Sequence, residues 1–250
     1  MRIFVHELRG EMLLYSRSRE LAFFTFMLPL IFYVLLGSVY GSGDTINGYP
    51  GADYLLTGMI GYGVIATAFA GLAIVLVIRR ENGVLKRLRG TPLPAWMYIS
   101  AVLLTTLIAF AVMCLCLIAL AMILFGASFP KAPASLVVTV LLGGACFAAL
   151  GVAITGFIRR AEGASAVINA IYLPVAFISG AFFSQEHFPG VLQKVADVLP
   201  LTYFIDLVGD VMLKGTQIWS EPKDVAVIVA WGVAGALLSL RYFRWIPREG

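Results

Sequence analysis

Few residues in this chain could do bond chemistry, and their spacing assembles no catalytic group. The two histidines are His6, near the N-terminus, and His187, in a polar segment far along the chain. A buried serine nucleophile therefore has no base to draw on, and neither G-x-S-x-G nor H-E-x-x-H occurs. Cys114, Cys116 and Cys146 all fall inside apolar runs, where they read as small packing residues rather than metal ligands or disulfide partners. No G-x-x-x-x-G-K-S/T phosphate loop is present, so any ATP used with this protein is bound by another chain. No Asp, Glu, Lys, Arg or His lies near the centre of an apolar run. That removes the signature of a proton- or ion-coupled carrier.

The apolar runs are the dominant feature. Of 250 residues, 60% are apolar and 13% charged, about half the charge of an ordinary soluble domain, which carries roughly 25%. Charges cluster at short intervals and leave runs long enough to cross about 30 Å of hydrocarbon as helix. A membrane barrel would alternate over segments of about ten residues instead. The expected fold is an all-α membrane protein, one domain over 1–250, with six transmembrane helices at about 21–40, 54–78, 96–125, 134–158, 163–183 and 225–243. Before the first, Phe4, Leu8, Met12 and Tyr15 recur at helical spacing among Arg2, His6 and Arg9. This predicts an amphipathic interfacial helix over 1–20, leading into an uncleaved anchor rather than a signal peptide. Gly58, Gly61 and Gly63, and Gly143, Gly144, Gly151 and Gly156, let helix backbones approach closely. Pro29 and Pro174 predict kinks.

Lysine and arginine give the orientation. Arg2, Arg9, Arg17, Arg19, Arg79, Arg80, Lys86, Arg87, Arg89, Arg159, Arg160, Arg241, Arg244 and Arg248 fall on one side of six spans. Lys131, Lys194, Lys214 and Lys223 fall on the other. Both termini are then expected in the cytoplasm. The basic charge follows the membrane edges, so no nucleic-acid partner is expected.

Two segments between the runs have a finer pattern. The loop 79–95 reads as a short charged helix with Val84, Leu85 and Leu88 on its apolar side, ended by Gly90 and Pro92. The segment 184–215 follows Ser179-Gly180-Ala181-Phe182-Phe183 and contains Phe188-Pro189-Gly190 and Leu199-Pro200-Leu201-Thr202-Tyr203. It reads as two amphipathic half-helices broken by prolines, the second carrying an Asp210–Lys214 pair four residues apart and ending at Gly215. Two such halves before the last run predict a re-entrant helical hairpin, with its irregular backbone buried in protein or lining a cavity.

Together these segments resemble the hallmarks of type-2 ATP-binding-cassette permeases, in particular small bacterial drug and antibiotic exporters. Glu81, Gly83, Leu88, Thr91 and Pro92 match the inner-loop pattern, and Lys86 departs from it where many relatives carry an acid. Ser179, Gly180, Phe182, Phe183, Pro189, Gly190, Leu199, Pro200, Thr202 and Tyr203 match the outer one. The resemblance implies a transport subunit of a bacterial inner membrane, without its own ATPase site. It implies a separate nucleotide-binding subunit that holds ATP and Mg, and a second copy of this chain or a similar permease. Glu81, Gly83, Arg87, Leu88, Thr91 and Pro92 would form the coupling element, and Phe182, Phe183, Phe188, Pro189, Pro200 and Tyr203 the outer gate. No cofactor or metal is expected in this chain. The lack of intramembrane charge points to a hydrophobic or amphipathic small molecule taken from the cytoplasm or inner leaflet. A lipid-linked glycan or polysaccharide is the alternative, which aromatic residues along the path would favour. Tyr33, Tyr40, Tyr54, Tyr62 and Tyr172 are available for that, and equally serve as interface anchors. Outside the class, the alternatives are an ion-coupled secondary carrier and a structural membrane subunit.

Overall fold

A computed structural model describes residues 2–18, 23–40, 45–46, 48–91, 93–158, 160–185, 188–243 and 245. Pro92 of the inner loop, Glu186 and His187 of the outer segment, and Arg19, Arg159, Arg244 and Arg248 of the basic side lie outside the described residues. So does Leu21, where the first expected span begins.

The helices in chain order are α1 (Arg2–Arg17), α2 (Leu28–Tyr40, after a π-helical turn at Phe23–Met27) and α3 (Gly51–Glu81, with π-helical Ile65–Gly71 inside it). They continue with α4 (Val84–Arg89), α5 (Ala95–Phe125), α6 (Pro133–Thr155) and α7 (Ala164–Ile178). Last come α8 (Gly190–Ala196), α9 (Pro200–Gly209, continued by a π-helical Asp210–Lys214) and α10 (Pro222–Tyr242). A two-residue hairpin, Thr45–Ile46 with Tyr49–Pro50, sits between α2 and α3.

Proline and glycine set most of these limits. Pro133, Pro200 and Pro222 occupy first-turn positions of α6, α9 and α10, where a missing N–H costs nothing. Pro50 and Pro94 stand just ahead of α3 and α5. Gly126 ends α5 in the left-handed conformation at φ 62°, which a side chain would resist.

Among the described residues, α3, α5, α6 and α10 are long and apolar enough to cross a membrane. Helices α2 and α7 are apolar but have 13 and 15 residues, so each rises only about 20–22 Å. The expected run 163–183 is thus longer than its helix, because the chain leaves α7 at Ser179.

Helix α6 is the hub, with α10, α3, α5 and α9 all packed against it. Helix α3 is the most enclosed: 78% of its most apolar stretch is buried, against 11% for α10. The bare side of α10, with Val233, Leu237 and Leu240, is the surface a helix shows to hydrocarbon. Buried Met59, Tyr62, Phe110, Met113, Phe147, Phe204 and Val208 form the core between α3, α5, α6 and α9.

Helix α1 lies against α5 with Phe4, Leu8 and Tyr15 partly buried. The expected fourth member of that face, Met12, is exposed, and Glu11 is buried in its place. Residues 4, 8, 11 and 15 follow the helical repeat as well as 4, 8, 12 and 15 do. A partner for a carboxylate on α5 and α3 decides between them.

Candidate functional site

At the inner-loop end, three consecutive residues close α3, and each reaches a different neighbour. Successive residues on a helix point about 100° apart, so Arg79, Arg80 and Glu81 fan outward. Arg79 donates from Nη1 to Glu11 Oε1 and Oε2 on α1, at 2.9 and 2.8 Å, and to the Tyr98 hydroxyl on α5 at 2.8 Å. Arg80 is buried and donates to the carbonyls of Thr155 and Ile158, at 2.8 and 2.5 Å. There it meets the unsatisfied oxygens and negative dipole end of α6. Glu81 accepts from the Ala161 N–H, ahead of α7. One turn of α3 therefore ties α1, α5, α6 and the approach to α7. Burial pushes the Glu11 carboxyl above its ordinary value, opposed by the Arg79 charge.

Helix α4 hangs directly from this clamp. Gly83 makes the joint at φ 70°, a left-handed conformation that costs other residues about 1–2 kcal/mol. Leu85 is fully buried and Leu88 partly so, while Lys86 and Arg87 are exposed. Thr91 closes the far end, its hydroxyl donating to the Leu88 carbonyl at 2.7 Å. Glu81, Gly83, Arg87, Leu88 and Thr91 are thus brought to one corner. Arg79, Arg80, Glu11 and Tyr98, which sequence reasoning missed as site residues, hold it. The legible signal was Glu11, an acid that falls on the apolar stripe of α1.

The opposite half is built of rings and glycines. Phe182 is buried, stacked on Phe177 at 4.7 Å and set edge-on to Phe32 at 5.4 Å, with Tyr62 at 5.1 Å. Phe183 is 47% exposed, with its ring 6.5 Å from that of Phe177. Phe188 is half-buried ahead of α8. A Cβ on Gly58 would overlap the Ala181 carbonyl, and one on Gly143 or Gly61 the side chains of Phe204 or Ile205. Gly58 and Gly143 lie seven and ten residues inside α3 and α6, or about 10 and 15 Å along them.

Helix α9 starts at buried Pro200 and keeps Leu201, Phe204, Leu207, Val208 and Val211 fully buried. Tyr203 donates its hydroxyl to the Asp197 carbonyl at 2.6 Å, and the Lys223 ammonium lies 5.4 Å from its ring. The Trp231 indole of α10 donates to the Val198 carbonyl at 3.2 Å, which fixes the turn between α8 and α9. Lys214 pairs with Asp210 at 2.5 Å. Asp206 is exposed at the surface of α9, and partial desolvation by the protein crowded beside it, with Asp224 and Asp210 nearby, pushes its carboxyl up to about 6.

Between α2, α3 and α7 lies a cavity of about 630 Å³ whose lining includes Phe32, Tyr62, Ile74, Ser165, Asn169 and Tyr172. The Tyr62 and Tyr172 rings stand 6.3 Å apart. Such a wall offers ring faces and amide and hydroxyl groups without charge.

The sequence pattern defining the ABC-2 type transporter family matches residues 4–213, from α1 through the end of α9. The chain belongs to the ABC-2 type transporter family. Over 241 residues it is 25% identical to the protein named "Putative transport permease YvfS" of Bacillus subtilis (strain 168), covering 94% of each chain. It is 28% identical over 105 residues to Nodulation protein J of Rhizobium meliloti (strain 1021), and 29% over 110 to that of Rhizobium leguminosarum bv. trifolii. These two matches cover 42% of this chain, and 40% and 42% of the relatives. As a multi-pass membrane protein of the ABC-2 family, the chain implies a partner that binds ATP. Among the described residues, no group of three or more His, Cys, Asp and Glu could hold a metal ion.

Proposed function

We propose that this ABC-2 chain is the permease subunit of an ATP-driven exporter, which moves a hydrophobic or amphipathic compound out of a bacterial cytoplasm or inner leaflet. The observation that carries the reading is the clamp of Arg79, Arg80 and Glu81 above α4. An exposed basic helix, hung by one turn from the helix that touches all its neighbours, is a lever. A motor pressing on α4 moves α1, α5, α6 and α7 together. A permease needs only two states with different affinity for its cargo, and such a lever switches between them. ATP and Mg belong to the separate nucleotide-binding subunit, and Glu81, Gly83, Arg87, Leu88, Thr91 and Pro92 couple to it.

Six spans support this arrangement when α2 and α7 join the four long helices, with both termini on the cytoplasmic side. The buried start of α9, reached about 15 Å inside α6, supports a re-entrant hairpin of α8 and α9. Phe182 is then the seal of the outer gate, flanked by Phe183 and Phe188, with Pro189, Pro200 and Tyr203 shaping its backbone. A second copy or a similar permease completes the pathway across α2, α3 and α7.

A lipid-linked glycan or polysaccharide is the second reading, favoured by the cavity at Tyr62, Tyr172 and Asn169. Aromatic faces and uncharged hydrogen-bonding groups suit sugar rings as well as apolar drugs.

The test is co-expression with the neighbouring nucleotide-binding subunit, followed by ATP hydrolysis with and without hydrophobic compounds. Arg87→Glu should keep the complex folded and lower compound-stimulated hydrolysis several-fold, because Arg87 is exposed and serves the motor alone. Glu81→Lys should also loosen the fold, since Glu81 holds Ala161. Hydrolysis unchanged by Arg87→Glu in a stable complex would remove the coupling assignment, and no association with any such subunit would remove the export reading.

A further inference from the structure

Helix α1 turns Phe4, Leu8, Glu11 and Tyr15 toward the rest of the chain, and its far side stays exposed among the described residues. On that side Arg2, His6 and Arg9 line, with Val5, one open hollow of about 440 Å³. All four are exposed. Their spacing of i, i+4 and i+7 stacks the three basic residues over two turns, within about 10 Å along the helix axis.

Within the chain this cluster is unfavourable. Arg2 sits at the positive end of the α1 dipole, and the first turn of α1 carries no acid. Arg9 adds a second fixed charge on the same face. The two described acids of α1 serve other surroundings. Glu11 is paired with Arg79, and Glu7 lines the space between α1, α3 and α5. Among the described residues, no ion pair or side-chain hydrogen bond engages Arg2, His6 or Arg9. An anion in the hollow would offset both charges at once.

The donor set selects phosphate. Two guanidinium forks beside an imidazole N–H match its several acceptor oxygens. The flanks say which phosphate. Ile3 and Leu14 are exposed on one side of the basic stripe, and Val5 and Met12 on the other. A free phosphate has no use for apolar flanks, whereas a phospholipid sets its headgroup on the cations and its chains beside them. The distribution of lysine and arginine puts α1 on the side expected to face the cytoplasm, where the leaflet is anionic.

We propose that Arg2, His6 and Arg9 form a headgroup site for an anionic phospholipid, its phosphate in the hollow and its acyl chains along the apolar flanks of α1. The lipid holds α1 to the membrane surface from outside while Glu11 holds it to Arg79 from inside. The clamp above α4 is thereby tied to the composition of the leaflet. The site needs only that this chain resides in a membrane and does not rest on the export reading.

The test gives the whole chain, in nonionic detergent, equimolar dioleoyl phosphatidylglycerol and dioleoyl phosphatidylcholine, and reads the bound lipids by native mass spectrometry. Wild type should retain phosphatidylglycerol over phosphatidylcholine by about tenfold. Arg2→Gln with Arg9→Gln should cut that preference about fivefold or more, with an unchanged melting temperature because both side chains are exposed. Arg9→Gln alone should cut it about threefold, which keeps the test decisive if the double variant is unstable. Arg17→Gln, on the same helix but outside the hollow, should leave the preference near that of wild type. No preference in wild type, a preference that survives removal of Arg2 and Arg9, or an equal loss in Arg17→Gln overturns the proposal. Displacement of the lipid by inorganic phosphate at the same concentration assigns the hollow to a soluble anion. Displacement by an added nucleotide-binding subunit assigns it to that partner, and either result also overturns the lipid site.

Discussion

The two ends of this molecule are held by different physics. At the inner-loop end, ion pairs and charged hydrogen bonds from Arg79, Arg80 and Glu81 join elements distant in sequence. In the outer half, α9 and the Phe182 turn are seated by glycines that leave no room for a Cβ and by rings packed edge to face. Contact packing is short-ranged and unforgiving of added volume, whereas charged hydrogen bonds are directional and can be exchanged for others. The difference teaches that one fold can seat its two ends by different choices of side chain.

The sharpest way to break this comparison is to overfill the wall. Gly143→Leu drives a side chain into the Phe204 ring, inside a buried layer with no slack. It should cost about 3 kcal/mol or more and lose most of the detergent-stable protein on heating. Gly209→Ala, where nothing lies within 4 Å, should melt at or above the wild-type temperature. If Gly143→Leu melts like wild type, the outer half is not tightly packed and the distinction fails.

A comparable effect, reversible by a second substitution, sharpens the other side. Arg79→Leu alone should cost about 3 kcal/mol, because it strands the buried Glu11 carboxylate. Arg79→Leu with Glu11→Leu should regain much of that in thermal stability, as apolar replacements of a buried pair often do. The double variant should still lose motor-coupled hydrolysis, because the tie between α1 and α3 is gone. Recovery of both stability and coupling would show that the pair is packing and nothing more.

How much of this was readable in advance follows the same division. The apolar runs at α3, α5, α6 and α10 needed only hydropathy, and their ends only proline and glycine. Gly90 at the end of α4 and the Asp210–Lys214 pair are local, so spacing alone located them. Apart from the acid on the apolar stripe of α1, the clamp left no mark, because Arg79 and Arg80 look like any basic pair at a membrane edge. Their targets are Glu11, 68 residues away, and Thr155 and Ile158, 75 and 78 away. Glu11 itself broke the apolar pattern of α1, which periodicity resolved in favour of Met12. Phe182 and Phe183 are neighbours of identical type, and only the fold buries one and exposes the other.

The smallest expected effect concerns Asp206, beside the Asp210–Lys214 pair of the outer half. Asp206 has a carboxyl raised to about 6 in the folded chain, against 3.8 in the unfolded one. The folded state then holds the proton more tightly, so its contribution to stability is full below about pH 4. It is lost as pH rises through about 6. Because the group opens partly to solvent, the change is screened to under about 1 kcal/mol. The melting temperature should therefore fall slightly between pH 4 and 7, and Asp206→Asn should flatten that slope while matching or exceeding wild type at pH 7. A slope that persists in Asp206→Asn would assign it to other acids. A slope of opposite sign would mean that Lys214 and Lys223 outweigh burial at Asp206, and that charge holds the outer half as it holds the inner.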